Sequence, residues 1–311
     1  MVDIRERDQR ATTPNEFSHA LDSSISDIPT HPNTLNPQNS EDVPQINTVN
    51  VFMGFLQAEY PSIEKAWEKF GLLTSENANI KEHNTVAASV AYRLGILLHL
   101  PENDLKKVAL ATALHDCDKA EEIGIINAII KKVLLDTQKT EEIAHAMKYV
   151  KQQRQEVLST LGFQQDVIDL SGANMPLDRS SDTPLFSIEE IAQALMPKDR
   201  KAQIVFVVDL FLNGSRIVPV QERFAASRDS TIHPDRAYKN ALTDKANAEV
   251  YGVDSYQDLQ FAIGRTIMRE FLQELTNDPK YLTKDPLEAL PDFISQDFAH
   301  LAREISTSSS I

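Results

Sequence analysis

Apolar residues recur at intervals of three and four along most of this chain, the spacing that lines one face of an α-helix. Val51, Phe52, Phe55, Leu56 and Tyr60 set the pattern first, and Ile63, Trp67, Phe70 and Leu72 continue it. A helix is predicted from about Ile80 to His99, with Val86, Val90, Leu94 and Leu97 on one stripe. Leu100-Pro101-Glu102 interrupts it, and a proline in the first turn suits a new start. The helix that follows carries Leu105, Val108 and Thr112 on one face, while Ala109, Ala111 and Ala113 permit close helix approach. Amphipathic segments come next over 121–135 and 140–161, the second stopped at Leu161-Gly162, where glycine suits a helix end. Ser187, followed three residues on by Glu190, spells a capping box that opens a short helix ending near Pro197. Further helices are predicted at 234–250, 254–276 and 286–305.

Two stretches depart from this rhythm. Residues 1–47 are rich in Ser, Thr, Asn, Asp and Pro and hold few aromatics, too little apolar surface to offset the entropy of ordering, so a flexible tail is expected there. Residues 204–212, IVFVVDLFL, form the most apolar run, and such a run fits a buried helix or a buried strand equally well. A strand would make Asp209 a haloacid-dehalogenase-like nucleophile. Against this, Phe211 stands where the second acid is needed, and the chain lacks the strand-helix alternation of an α/β fold.

Composition sharpens the picture. Nine glycines in 311 residues fall well below the usual ~7%, which together with abundant Leu, Ala, Glu, Lys and Gln favours a mainly α fold. We expect a tail over 1–47, a helical domain over 48–280, and a C-terminal helix with a polar end over 281–311. A formal charge of −15 argues against general nucleic-acid or anionic-membrane binding, which relies on basic patches. The single cysteine, Cys117, excludes an internal disulfide and any multi-cysteine zinc site. No apolar run reaches the ~20 residues of a membrane span, and the N-terminus is too polar for a secretory signal, so a soluble, cytoplasmic protein is expected.

The chemistry concentrates between Lys81 and Lys119. His83 lies early on one predicted helix, and the adjacent pair His115-Asp116 ends the next. Two imidazoles and a carboxylate suit a divalent cation with positions left open for water and substrate. The 32 residues separating the two histidines allow one helix, a turn and a returning helix.

The segment HNTVAASVAYRLGILLHLPENDLKKVALATALHDCDK resembles the HD-domain superfamily of metal-dependent phosphohydrolases: a first histidine opening a Val-Ala type helix, then an apolar helix ending in His-Asp. Lys119 sits three residues after Asp116, as in that family's HDxGK variants, although Asp118 stands where those have glycine. Residues 80–230 carry the likeness, and QIVFVVDLFLNGSRIVPVQERFAAS is similar to the family's final apolar helix with its last metal-binding aspartate. The resemblance implies an HD-like helical bundle in which His83, His115, Asp116 and Asp209 bind a divalent ion (Mn, Mg, Fe, Co or Zn). It also implies that Asp116 contacts a metal-activated water and that Lys119 holds the phosphate or the leaving oxygen. Arg216 is expected on the substrate phosphate, with Glu222 and Arg223 on a short helix near the metal.

His145 lies near where dinuclear members carry another histidine and is the candidate for a second ion, though DLSGANMPL downstream offers no further histidine. His99 reads as a helix cap, His233 as a loop residue within reach of substrate, and His19, His31 and His300 as surface residues. Cys117 reads as a small packed side chain. The expected substrate is a nucleotide or other small phosphorylated compound. The helices after about residue 234 are expected to wall the pocket or to form a homo-oligomer contact. A di-iron oxygenase on the same scaffold, or a non-catalytic nucleotide- or partner-binding protein, is the alternative.

Overall fold

The computed structural model of the chain describes residues 61–173, 187–228 and 234–308, all within one compact unit, Asp42–Ile311. The predicted tail, the 49–60 pattern, His19, His31 and His233 lie outside the described residues. The fold is mainly α. Its helices are α1 (Ser62–Lys69), α2 (Ala78–Leu97), α3 (Glu102–Leu114), α4 (Lys119–Lys131), α5 (Asp136–Thr160), α6 (Gln165–Ser171), α7 (Ile188–Leu195), α8 (Arg200–Phe211), α9 (Val220–Arg228), α10 (Pro234–Tyr251), α11 (Tyr256–Leu275), α12 (Pro279–Leu282) and α13 (Pro286–Ser308). A two-stranded ribbon, β1 (Leu212–Asn213) and β2 (Arg216–Ile217), pairs antiparallel with Asn213 opposite Arg216.

The apolar run that fits either a strand or a helix is α8, and it is the axis of the core. Ile204, Val205, Val207, Val208 and Phe211 are fully buried, because α2, α3, α6, α9 and α11 pack around it on several sides. Burial on all faces explains the missing amphipathic rhythm and overrides the weaker helix propensity of its β-branched residues. The strand reading, and the dehalogenase-like nucleophile with it, is therefore set aside. α8 meets α11 at Gly264, where an added Cβ would stand 2.5 Å from Leu210 Cδ1, so the absent side chain lets the helix bearing Asp209 pack closely.

α2 and α3 form a helical hairpin joined by Leu98–Pro101, a connection short enough to make them antiparallel neighbours. Gly95 permits their approach, since a Cβ there would lie 2.6 Å from Leu105 Cδ2. Trp67 of α1, fully buried, donates its Nε1–H to the Ala113 carbonyl at 3.0 Å and fixes α1 against α3. Arg93 of α2 grips Asp297 of α13 through two hydrogen bonds of 2.6 and 2.8 Å. The final helix thereby joins the core that Leu287, Leu290 and Ile294 enter.

His99 ends α2 as expected of a cap, but through its backbone. It adopts φ +57° while Leu100 N–H reaches back to the Gly95 carbonyl at 2.9 Å, closing a Schellman-type end. A Cβ in that conformation is strained. His99→Gly is expected to raise unfolding stability by about 1 kcal/mol, read as a higher urea midpoint.

Candidate metal centre

The α2–α3 hairpin brings the start of one helix beside the end of the other. His83 stands in the second turn of α2, and His115 closes α3 with Asp116 following. Asp209 reaches the same point from the last turn of α8. One ligand atom from each of His83, His115, Asp116 and Asp209 lies within 4.8 Å of the others, a group that could hold a metal ion.

Backbone carbonyls set the orientation of both rings. His83 Nδ1 lies 2.9 Å from the Gly214 carbonyl and His115 Nδ1 lies 2.7 Å from the Thr112 carbonyl. A carbonyl only accepts, so each Nδ1 carries the hydrogen and each Nε2 turns its lone pair inward when the ring is neutral. The two Nε2 atoms then face each other at 3.3 Å, and each lies 3.6 Å from Asp209 Oδ1. Two lone pairs and a carboxylate converging on one point need a positive charge among them, which a proton or a metal ion supplies. The donor set, two imidazole nitrogens and two carboxylate oxygens, fits a divalent transition ion.

Burial and charge agree with this. Burial alone would lower the His115 pKa, but Asp116 and Asp209 outweigh it and raise it above the ordinary 6.5. Burial likewise pushes the Asp209 carboxyl up, yet Arg223 and the two histidines hold it well below the carboxylate range. Asp116 is also held below its ordinary value, with His115 and Lys119 overcoming its burial.

Of the other expected residues, Lys119 lines the cavity and bonds Glu122 at 3.0 Å. Its pKa is raised, chiefly by Glu122. Arg216 is exposed on β2 and does not line the cavity. The cation from that stretch that reaches the site is Arg223 of α9, which donates to Asp209 Oδ1 at 3.2 Å and keeps its other terminal nitrogen buried without a partner. The register of the ribbon decides this, since β2 points Arg216 outward while α9 turns back over α8. His145 is exposed on α5, outside the group of four, and His300 is exposed on α13. Cys117 is fully buried, and burial raises its thiol pKa well above the ordinary value, as a packed side chain requires.

Three contributors carry no motif in the sequence. Gly214, at φ +61° in the two-residue turn of the ribbon, supplies the carbonyl that orients His83. Thr112 does the same for His115. Arg154 of α5, nine-tenths buried, donates to the His115 carbonyl at 2.8 Å and to Asp118 at 3.4 Å. It is the counterion of Asp118. Nothing in the amphipathic pattern of 140–161 distinguishes a buried arginine from a solvated one.

The cluster opens into a cavity of about 980 Å³ whose walls come from α4, α5, α9, α10 and α11. No protein-family model matches this chain, and neither the curated proteins nor the solved structures contain a match to it. The site thus defines a helical protein with a His-His-Asp-Asp group able to hold a metal. Among its described residues no helix is long and apolar enough to cross a membrane.

Proposed function

We propose that this is a metal-dependent phosphohydrolase of the HD type, which releases phosphate from an ester of a small compound. The observation that carries the reading is the convergence of His83, His115, Asp116 and Asp209 at the floor of a cavity that Lys119, Arg154 and Arg223 also line. Those four residues would hold a divalent ion, which when bound polarises a phosphoryl oxygen and lowers the pKa of water.

The remaining work falls to the chain's own groups. Arg223, which lines the cavity and donates to Asp209, sets its guanidinium charge beside the place a phosphoryl group would occupy. Lys119, kept charged beside Glu122, faces the same space and offsets negative charge on the transferred group. Asp116, held ionised, can accept a hydrogen bond from the attacking water through its carboxylate. Exposed His145 and the pairing of Asp118 with Arg154 leave fewer ligands for a second ion, which favours this reading over a di-iron oxygenase.

The test is phosphate release from phenyl phosphate and a nucleotide panel by protein loaded in turn with Mn²⁺, Mg²⁺, Fe²⁺, Co²⁺ and Zn²⁺. Release is expected with at least one ion, and Arg223→Gln is expected to lower kcat about a hundredfold. Inertness with every ion would end the hydrolase reading.

A further inference from the structure

The first half of α10 walls the cavity but adds nothing to the core. From Pro234 to Ala241 no residue is buried and none joins the apolar cluster. Yet Pro234, Arg236, Tyr238 and Ala241, all exposed, line the cavity, which places this half where the cavity meets solvent. The second half is anchored: Leu242, Ala246, Ala248 and Tyr251 are buried, and Asp244 accepts the Gln257 backbone N–H of α11 at 2.8 Å. Helical turns without buried apolar contacts open more readily than the rest of a helix, and segments that admit ligands are drawn from that end of the stability range.

A polar latch ties the first half to the neighbouring wall. Tyr238 donates its hydroxyl to Asp136 Oδ1 at 2.7 Å and accepts from Lys139 Nζ at 3.3 Å, while the Lys139 ammonium lies 5.5 Å from the centre of the Tyr238 ring. Asp136 and Lys139 both belong to the start of α5. Charge works against this closure. Three carboxylates around the cavity already have their own cations, Asp118 with Arg154, Glu122 with Lys119 and Asp209 with Arg223. Beyond those pairs Lys151 and Arg236 also line it, whereas Asp235 is exposed and does not. Burial, then Arg236 and Lys119, lower the Lys239 pKa, and Glu122 opposes them. The first half of α10 thus brings two cations toward Lys119 of α4, and an anion placed among them removes the repulsion.

We propose that residues 234–241 form a lid on the cavity, latched by Tyr238, which a small phosphoryl-type anion draws shut by bridging Arg236 and Lys239 of the lid to Lys119 of α4. The lid rests on the shape and charges of the cavity and does not depend on hydrolysis. Joined to the phosphohydrolase reading, it makes the phosphoryl group of the substrate the trigger for closing, and closing strengthens the contacts of that group by excluding bulk water.

Hydrogen exchange of the full chain, loaded in turn with the ions of the hydrolysis assay, is followed with and without phenylphosphonate, whose carbon–phosphorus bond is not an ester. The amides of 238–241, which bond within the lid, are expected to exchange about tenfold more slowly at ten times the half-saturating concentration, because an anion that binds only the closed form depletes the open one in that ratio. Those of 242–251 are expected to change little. Arg236→Gln combined with Lys239→Gln is expected to lose most of the slowing. Tyr238→Phe is expected to exchange about fivefold faster than wild type without the anion, through loss of the latch, and still to be slowed by it. Exchange that phenylphosphonate slows with no ion overturns the lid, as does slowing of equal size in the Arg236/Lys239 variant. Exchange in Tyr238→Phe equal to that of wild type overturns the latch. The lid and the hydrolase reading fail separately: phosphate release from phenyl phosphate without slowing removes the lid alone, and slowing without release keeps the lid and removes the hydrolase.

Discussion

Replacing His115 and Asp116 together by alanine is expected to strip the protein of bound divalent ion and to abolish phosphate release. Two of four ligands disappear, and His83 and Asp209 alone leave one nitrogen and one carboxylate. Changes that only reorient ligands cost roughly 10- to 100-fold in metal affinity, and losing the ligands themselves costs more. Elemental analysis of wild type beside the variant reads the outcome directly: near one ion per chain in the first and none in the second. A second iron per wild-type chain would move the assignment to an oxygenase. Metal retained by the variant would place the ion elsewhere. The helical circular dichroism of the variant is expected to persist, because the core around α8 does not depend on these two side chains.

The second large effect concerns Arg154. Its guanidinium and the Asp118 carboxylate are both more than nine-tenths buried, so Arg154→Met leaves a carboxylate in the interior without its cation. Breaking such a pair costs about 3 kcal/mol near neutral pH. The cost depends on pH in a defined direction. Burial raises the Asp118 carboxyl from 3.8 to about 6 although Arg154 opposes the rise. A folded pKa above the unfolded one gives stability that is fully present below the unfolded value and lost as pH rises through the folded value.

Removing Arg154 lifts the folded value of Asp118 further. Below about pH 6 Asp118 is protonated in both proteins, and the deficit reduces to the lost bond to the His115 carbonyl; above it the deficit grows. Urea unfolding of the metal-free proteins across this range checks it, and adding Asp118→Asn to Arg154→Met is expected to remove the pH-dependent part. A deficit that is the same at all pH values would show that Asp118 is not the group Arg154 neutralises.

The sequence by itself determined the helices whose one face meets the core. Ser187 with Glu190 announced α7, and Leu100-Pro101 announced the break between α2 and α3. The local rules that create these features, periodicity and capping, act within a few residues. The same stretch offered His83, His115 and Asp116 as ligands, because a hairpin of known length returns its end to its start. What had no local signature was missed: the short α6 and α12, and the ribbon whose glycine carbonyl aims His83.

Only the tertiary structure decided that residues 204–212 run as helix into the ribbon, since a segment buried on every side shows no periodicity. It alone put Asp209 against the two imidazoles, turned Arg216 out and Arg223 in, and set Arg154 behind His115. It also carried Arg236 and Tyr238, some 120 residues beyond His115 in the chain, to the same cavity. The physical reason is one of range. Propensity and capping are fixed by neighbours in sequence, whereas the charge, orientation and solvent access of a site side chain are fixed by whatever other helices pack around it.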